Sequence, residues 1–189
     1  MKPGAEFFAD IVGGDDPARI SEAADRAANL LVRGARDTDD PAVAERVLRL
    51  ADTEGIETIA EVWAGSPADS LAGCLWRLFV LRSWVYADPA TVAREYDAGR
   101  RTAQVAQVVA GVADPPGPDE LRTMVDEVLR GLAASDLADV LLRAAAFARV
   151  VATGRAALSG SSDAEVQRML VLSEQLEAAG HAELRDGLA

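Results

Sequence analysis

The chain has 189 residues, a formal net charge of −12, one histidine and one cysteine. This length suits a single domain with a sizeable core. An acidic chain lacks the broad basic face that sequence-independent binding of nucleic acid requires, so we predict no direct contact with nucleic acid. One cysteine excludes an internal disulfide framework, and together with the lack of a signal-like apolar start it predicts a cytoplasmic protein.

The chain opens with a short apolar patch and then two glycines, which we interpret as an N-terminal arm over residues 1–15. A helical domain over residues 16–180 follows, because helical periodicity resumes after each Asp-Pro or Ser-Pro pair. These predicted helix starts are Asp16, Asp40, Ser66 and Asp88. The sequence therefore predicts an all-α fold, a single-domain bundle of about eight or nine helices that are mostly antiparallel neighbours. An array of helical hairpins is the alternative.

Residues 66–87 form the predicted central helix of this bundle. Ser66 and Pro67 are typical of a helix start, and the residues that follow are apolar on almost every side. Such a helix lies either at the centre of a domain or in a membrane. The apolar part is shorter than the roughly 20 residues of a membrane span and contains two arginines. We therefore predict a buried helix, no membrane association, and a buried thiol at Cys74.

Arg77 and Arg82 are the two charged residues in the apolar part of the central helix. At about 100° per residue they lie about 140° apart, so they cannot share one solvent-facing side. We expect at least one of them to occupy a buried polar site, an interface or a pocket. The alternatives are a structural ion pair with an acidic helix and a clamp for an acidic ligand.

Paired arginines follow a predicted helix break at Gly99, just before a valine-rich helix predicted over residues 105–112. Arginines hold carboxylates or phosphates through forked hydrogen bonds, and the free N–H groups at a helix start attract negative charge. The alternative is that these arginines pair with neighbouring acidic side chains. The candidate anion site consists of Tyr96, Arg100, Arg101 and Thr102.

The last third of the chain begins with a proline-rich candidate hinge over residues 113–118. A helix after Ser135 is rich in alanine, which permits close approach to the central helix. The last helix begins at Ser162 with a capping box and is predicted to end at Gly180. Residues 181–189 are then a predicted C-terminal tail.

The sequence contains no motif typical of a catalytic nucleophile, a metal centre or a phosphate loop. We predict no metal site and no cofactor. The first functional hypothesis is a non-catalytic helical protein that mediates protein–protein interaction or regulation, with self-association into a homo-oligomer through surplus apolar helix surface. The alternative is a domain that binds a small anionic ligand in a cavity between the central helix and the helix after Ser135.

Overall fold

The structure is a computed structural model that describes residues 63–102, 117–134, 137–158 and 162–188, with the backbone alone over 129–134, and five positions before them. This part of the chain is helical and contains no strand, which confirms the all-α prediction for the described residues. The count of eight or nine helices and the bundle arrangement stay predictions. The five helices are α1 (Leu71–Ala87), α2 (Pro89–Thr102), α3 (Pro118–Ala134), α4 (Leu137–Ala157) and α5 (Asp163–Asp186).

Several predictions fall outside the described residues. They are the N-terminal arm over 1–15, the helix that starts at Asp40, the valine-rich helix over 105–112, and most of the candidate hinge. Within the predicted helix that starts at Asp16, the described positions are Ala24, Asp25, Ala28, Asn29 and Val32, which are helical.

Helix α1 is the predicted central helix, but it begins later than predicted. Its N-cap is Ser70, whose hydroxyl accepts a hydrogen bond from the Gly73 N–H at 3.2 Å. The predicted start at Ser66 is wrong because Pro67 lies in a turn that folds back over the first turn of α1. Its carbonyl oxygen occupies the place that a Cβ at Gly73 would take. Asp25 adds a second cap by accepting the Ala72 N–H at 3.2 Å.

Helix α2 follows α1 after one residue, Asp88, whose carboxylate accepts the Thr91 N–H at 3.0 Å. The predicted break at Gly99 is wrong, because α2 continues through it to Thr102. Gly99 is instead a packing position. A Cβ there would overlap the Val150 carbonyl oxygen, and a Cβ at Gly154 would overlap the Glu95 carbonyl oxygen. The two glycines let α2 and α4 cross in backbone contact.

Helices α4 and α5 form the most extensive helix pair among those described. They are antiparallel: the Ser173 hydroxyl donates to the Ala145 carbonyl at 2.9 Å, and Gly180 packs against Leu142. The prediction that Gly180 ends the last helix is wrong, since α5 continues to Asp186 and ends at Gly187, where φ is 75°. Gly180 is instead a packing position, because the Leu142 side chain occupies the space that a Cβ there would need.

The core lies around α1, which contacts each of the other four helices. One side of α1 is almost fully buried, since the exposed fraction is 1% or less for each of Leu71, Leu75, Leu78 and Phe79. The opposite side is covered less completely than predicted. Trp76, Val80 and Trp84 follow one another at single-turn spacing and are only half-buried. This side of α1 forms a wall of the groove described next.

Candidate functional site

The groove lies between α1 and α5, next to the end of α4, and has a volume of about 510 Å³. That volume is within the range of small-molecule sites in proteins. Its walls are mainly apolar, with a few polar side chains among them. The lining residues are Trp76, Arg77, Val80, Leu81, Trp84, Arg155, Glu165, Arg168, Met169, Val171, Leu172 and Gln175.

Arg77 supplies a half-buried positive charge at one end of this groove. Its Nε donates to Gln175 Oε1 at 2.7 Å, and its Nη1 donates to the Gly73 carbonyl at 2.8 Å. Both acceptors are neutral, and no carboxylate of the described residues forms an ion pair with Arg77. Burial lowers the pKa of the Arg77 guanidinium, an effect that the charge of Asp69 opposes. The guanidinium is therefore partly desolvated, with the Asp69 charge near it but no carboxylate of the described residues within ion-pair or hydrogen-bond distance.

The other end of the groove also contains arginines, but acidic side chains balance them. Arg155 donates from Nε and Nη2 to the two carboxylate oxygens of Glu95 at 2.9 and 3.0 Å. Its guanidinium also lies over the Trp84 ring, 4.8 Å from the ring centroid. Arg168 is exposed and lies close enough to Glu165 to lower the pKa of that carboxyl slightly. This end is close to neutral.

Glu165 is held mainly by its own helix cap. The Ser162 N–H and hydroxyl both donate to Glu165 Oε2 at 2.9 Å, and the Glu165 N–H donates back to the hydroxyl. These bonds complete the predicted capping box. The backbone bond is the first cause, and the hydroxyl bond the second, of a lowered pKa for the Glu165 carboxyl. Glu165 is therefore an ionised side chain in a structural role.

Arg82, the second arginine of α1, lies outside the groove in a buried ion pair. Its Nε is 2.9 Å from Asp126 Oδ1 on α3. The Tyr86 hydroxyl donates to the other oxygen of Asp126 at 2.6 Å, and the Arg82 guanidinium lies over the Tyr86 ring. Two donors thus satisfy one nearly buried carboxylate, and the group joins α1 to α3.

The four residues of the predicted anion site all lie in the second half of α2. Tyr96 is buried against Phe147, and burial raises the pKa of its hydroxyl. Arg101 pairs with Asp97 at 2.7 Å on the surface, and the Thr102 hydroxyl donates to the Ala98 carbonyl at 3.0 Å. The two arginines occupy the last turn of α2, and the valine-rich helix predicted to follow them lies outside the described residues. Anion binding by these four residues stays a prediction.

The cavity predicted between the central helix and the helix after Ser135 is very small. The space between α1, α3 and α4 is about 10 Å³, which holds at most one water molecule. Cys74 is buried in the core but does not line this space, and burial raises the pKa of its thiol to about 12. A thiol with that pKa is not a nucleophile near neutral pH.

Comparison with models of protein families, with curated proteins and with solved structures finds no match to this chain. Within the described ranges, no cluster of histidine, cysteine, aspartate and glutamate could hold a metal ion. None of the helices in the same ranges is long and apolar enough to cross a membrane.

Charge in an apolar helix singles out Arg77 in the sequence but not the residues that surround it. Trp76, Val80 and Trp84 recur at intervals of four residues, a visible signal of one helix face, yet we assigned that face to the core. Nothing in the sequence indicates Gln175, because its hydrogen bond with Arg77 depends on how α5 packs against α1. Nor did spacing indicate the pair between Glu95 and Arg155, which are 60 residues apart.

Proposed function

We propose that this protein is a non-catalytic binding protein that holds an anionic ligand with an apolar body in the groove between α1 and α5. The observation that carries this proposal is the Arg77 guanidinium, which is half-buried among apolar walls and hydrogen-bonded to neutral acceptors alone. A desolvated charge is unfavourable unless an opposite charge compensates it. An anionic group in the groove would supply that compensation.

The walls of the groove supply the affinity for the apolar body. Trp76 and Trp84 are large side chains that remain half-buried, so a ligand between them removes additional apolar area from water. Val80 lies between the two rings, and Met169 and Leu172 face them from α5. Apolar walls with a few convergent polar groups are typical of ligand sites.

The same lining supports binding rather than catalysis. It contains one carboxylate, that of Glu165, which is ionised and hydrogen-bonded to the N–H and hydroxyl of Ser162 in the cap of α5. Serine, cysteine and histidine are missing from the residues that line the groove. A general acid or base needs a pKa near the working pH, and a nucleophile needs activation by a base. The lining offers neither.

Association with a protein partner or a second copy remains a proposal with weaker support. Its support in the sequence is surplus apolar helix surface that includes Trp63, Trp76, Trp84, Phe79 and Phe147, but Trp63, Phe79 and Phe147 are buried in the core. Among those aromatic residues, Trp76 and Trp84 keep exposed surface, and they line the groove. Sedimentation equilibrium tests the self-association, since a single monomer mass at every concentration would reject a homo-oligomer.

Calorimetric titration with octanoate, a simple anion with an apolar body, tests the proposed ligand class. We expect octanoate to bind, and octanol and octylammonium to bind at least tenfold more weakly. Arg77→Gln should weaken octanoate binding about tenfold or more, because a hydrogen bond to a charged group contributes roughly 1.5–3 kcal/mol. The matched control is Arg94→Gln, which removes an exposed arginine that bonds Thr91.

Two results of this titration would contradict the proposal. One is equal affinity for octanol and octanoate, and the other is unchanged octanoate affinity in Arg77→Gln. A double variant, Arg100→Ala with Arg101→Ala, separates the groove from the site predicted at the end of α2. The double variant should bind octanoate as the wild type does. Loss of binding in this variant would show that the anion site lies at the end of α2 and not in the groove.

A further inference from the structure

We infer that the ligand is a monocarboxylic acid with a linear apolar chain, bound with its carboxylate at Arg77 and Gln175 and its chain running along α1 towards Trp84. This inference rests on the proposed function and adds the number of charges and the orientation of the ligand. It follows from the donors at one end of the groove, the length of the apolar wall and the charge balance at the other end.

The Arg77 end of the groove presents donors that have no acceptor among the described residues. A guanidinium has five N–H groups, and two of those on Arg77 are used by Gln175 and Gly73, which leaves three. Gln175 accepts from Arg77 through Oε1, so its amide nitrogen retains two further N–H donors. A group with several acceptor oxygens and one negative charge matches these donors. A carboxylate has that composition and the planar shape that suits arginine.

The apolar wall beyond Arg77 sets the length of the chain. Trp84 lies seven residues after Arg77 on α1, which corresponds to about 10 Å along the helix axis. Val80 lies midway. Leu172 and Met169 follow in the same direction on α5, because Gln175 bonds Arg77 at one end while Glu165 lies near Arg155, which covers Trp84, at the other. An extended chain of roughly eight carbons, with bonds near 1.5 Å, spans this distance.

The Trp84 end of the groove offers no uncompensated positive charge to a second acidic group. Arg155 forms a two-bond pair with Glu95 in which both side chains are nearly buried. Arg168 lies near Glu165, which stays ionised because its cap lowers the pKa of the carboxyl. A second carboxylate at this end would meet as much negative as positive charge. The charge balance at this end therefore favours a monocarboxylate over a dicarboxylate, and the single guanidinium charge of Arg77 at the other end matches a monoanion better than a phosphate monoester with two charges on one group.

Quenching of tryptophan fluorescence by brominated octanoate tests the orientation. Trp76→Phe leaves Trp84 as the groove fluorophore, and Trp84→Phe leaves Trp76. Trp63 contributes the same background in both variants, because it is buried against Phe79. Octanoate brominated on the terminal carbon should quench Trp84 at least twofold more than Trp76. Bromine on the carbon beside the carboxylate should reverse that ratio.

Calorimetric titration of the wild type tests the inference that the ligand carries a single negative charge. Octanoate should bind at least tenfold more tightly than octanedioate or octyl phosphate. Equal or reversed quenching ratios, or tighter binding of either dianion, would overturn the inference while leaving an Arg77-dependent anion site in place. If none of these ligands binds, or if binding is indifferent to Arg77→Gln, the proposed function fails with it. Far-ultraviolet circular dichroism of each variant verifies that the helices are retained.

Discussion

Arg77 and Arg82 lie on the same helix but have different kinds of partner, which the residue type alone does not determine. The angle between Arg77 and Arg82 predicts that they face different surroundings, and they do. Arg82 meets Asp126, while Arg77 meets a glutamine and a carbonyl group. The sequence could not identify these partners, because Asp126 is 44 residues from Arg82 and many other acidic residues were available. The difference between a structural pair and a ligand site arises from tertiary packing.

At the residue scale, the pair between Arg82 and Asp126 predicts a large effect of one truncation. Asp126→Ala removes the partner of a nearly buried arginine and the acceptor of the Tyr86 hydroxyl. Breaking a nearly buried ion pair is destabilising, so we expect the free energy of unfolding to fall by about 3 kcal/mol. Urea denaturation followed by circular dichroism measures it.

The control for this truncation is Asp119→Ala on the same helix. Asp119 pairs with Arg122 at 3.2 Å, but its side chain is 90% exposed. Exposed pairs contribute little, so we expect a change below about 0.5 kcal/mol. Equal effects of the two substitutions would show that the Arg82 pair does not hold α1 to α3.

At the element scale, local signals in the sequence predict three helix ends correctly and fail at a fourth, since α1 begins after Ser70 and not at Ser66. The C-terminal end of α1, the start of α2 after Asp88 and the capping box of α5 follow local rules, and the structure confirms them. Gly99 and Gly180 were interpreted as helix ends by the same local rules, and those interpretations were wrong. Each glycine is required by a neighbouring helix, which the local sequence does not reveal.

The crossing of α2 and α4 predicts that Gly154 tolerates no side chain. A methyl group there would overlap the Glu95 carbonyl oxygen, and backbone atoms cannot move aside as a flexible side chain can. Gly154→Ala should therefore lower the free energy of unfolding by about 1–3 kcal/mol or more, despite the better helix propensity of alanine. Urea denaturation measures the change.

Gly65→Ala is the matched control for the crossing. A Cβ at Gly65 would have no atom within 4 Å. We expect a change within about 0.5 kcal/mol, as for surface substitutions in general. If Gly154→Ala were as mild as this control, α2 and α4 would not be in backbone contact at that point.

At the scale of the whole molecule, the fold class was predictable and the site was only partly so. Helical periodicity, caps and the absence of strand patterns indicate an all-α chain. The groove exists because α5 covers part of α1 and leaves Trp76, Val80 and Trp84 half-buried. That incomplete cover depends on how helices far apart in sequence are arranged. Amphipathic patterning specifies which face is apolar, but not what lies against it.

The central claim is that the groove binds an anion through Arg77, and thermal unfolding of the whole protein with octanoate tests it most directly. A ligand that binds only the folded state stabilises it in proportion to occupancy. At about 100 times the dissociation constant, the unfolding midpoint of the wild type should rise by roughly 5 to 10 °C. The midpoint of Arg77→Gln should rise by about half as much or less at the same concentration. An unchanged wild-type midpoint, or an equal rise in both proteins, would contradict the account.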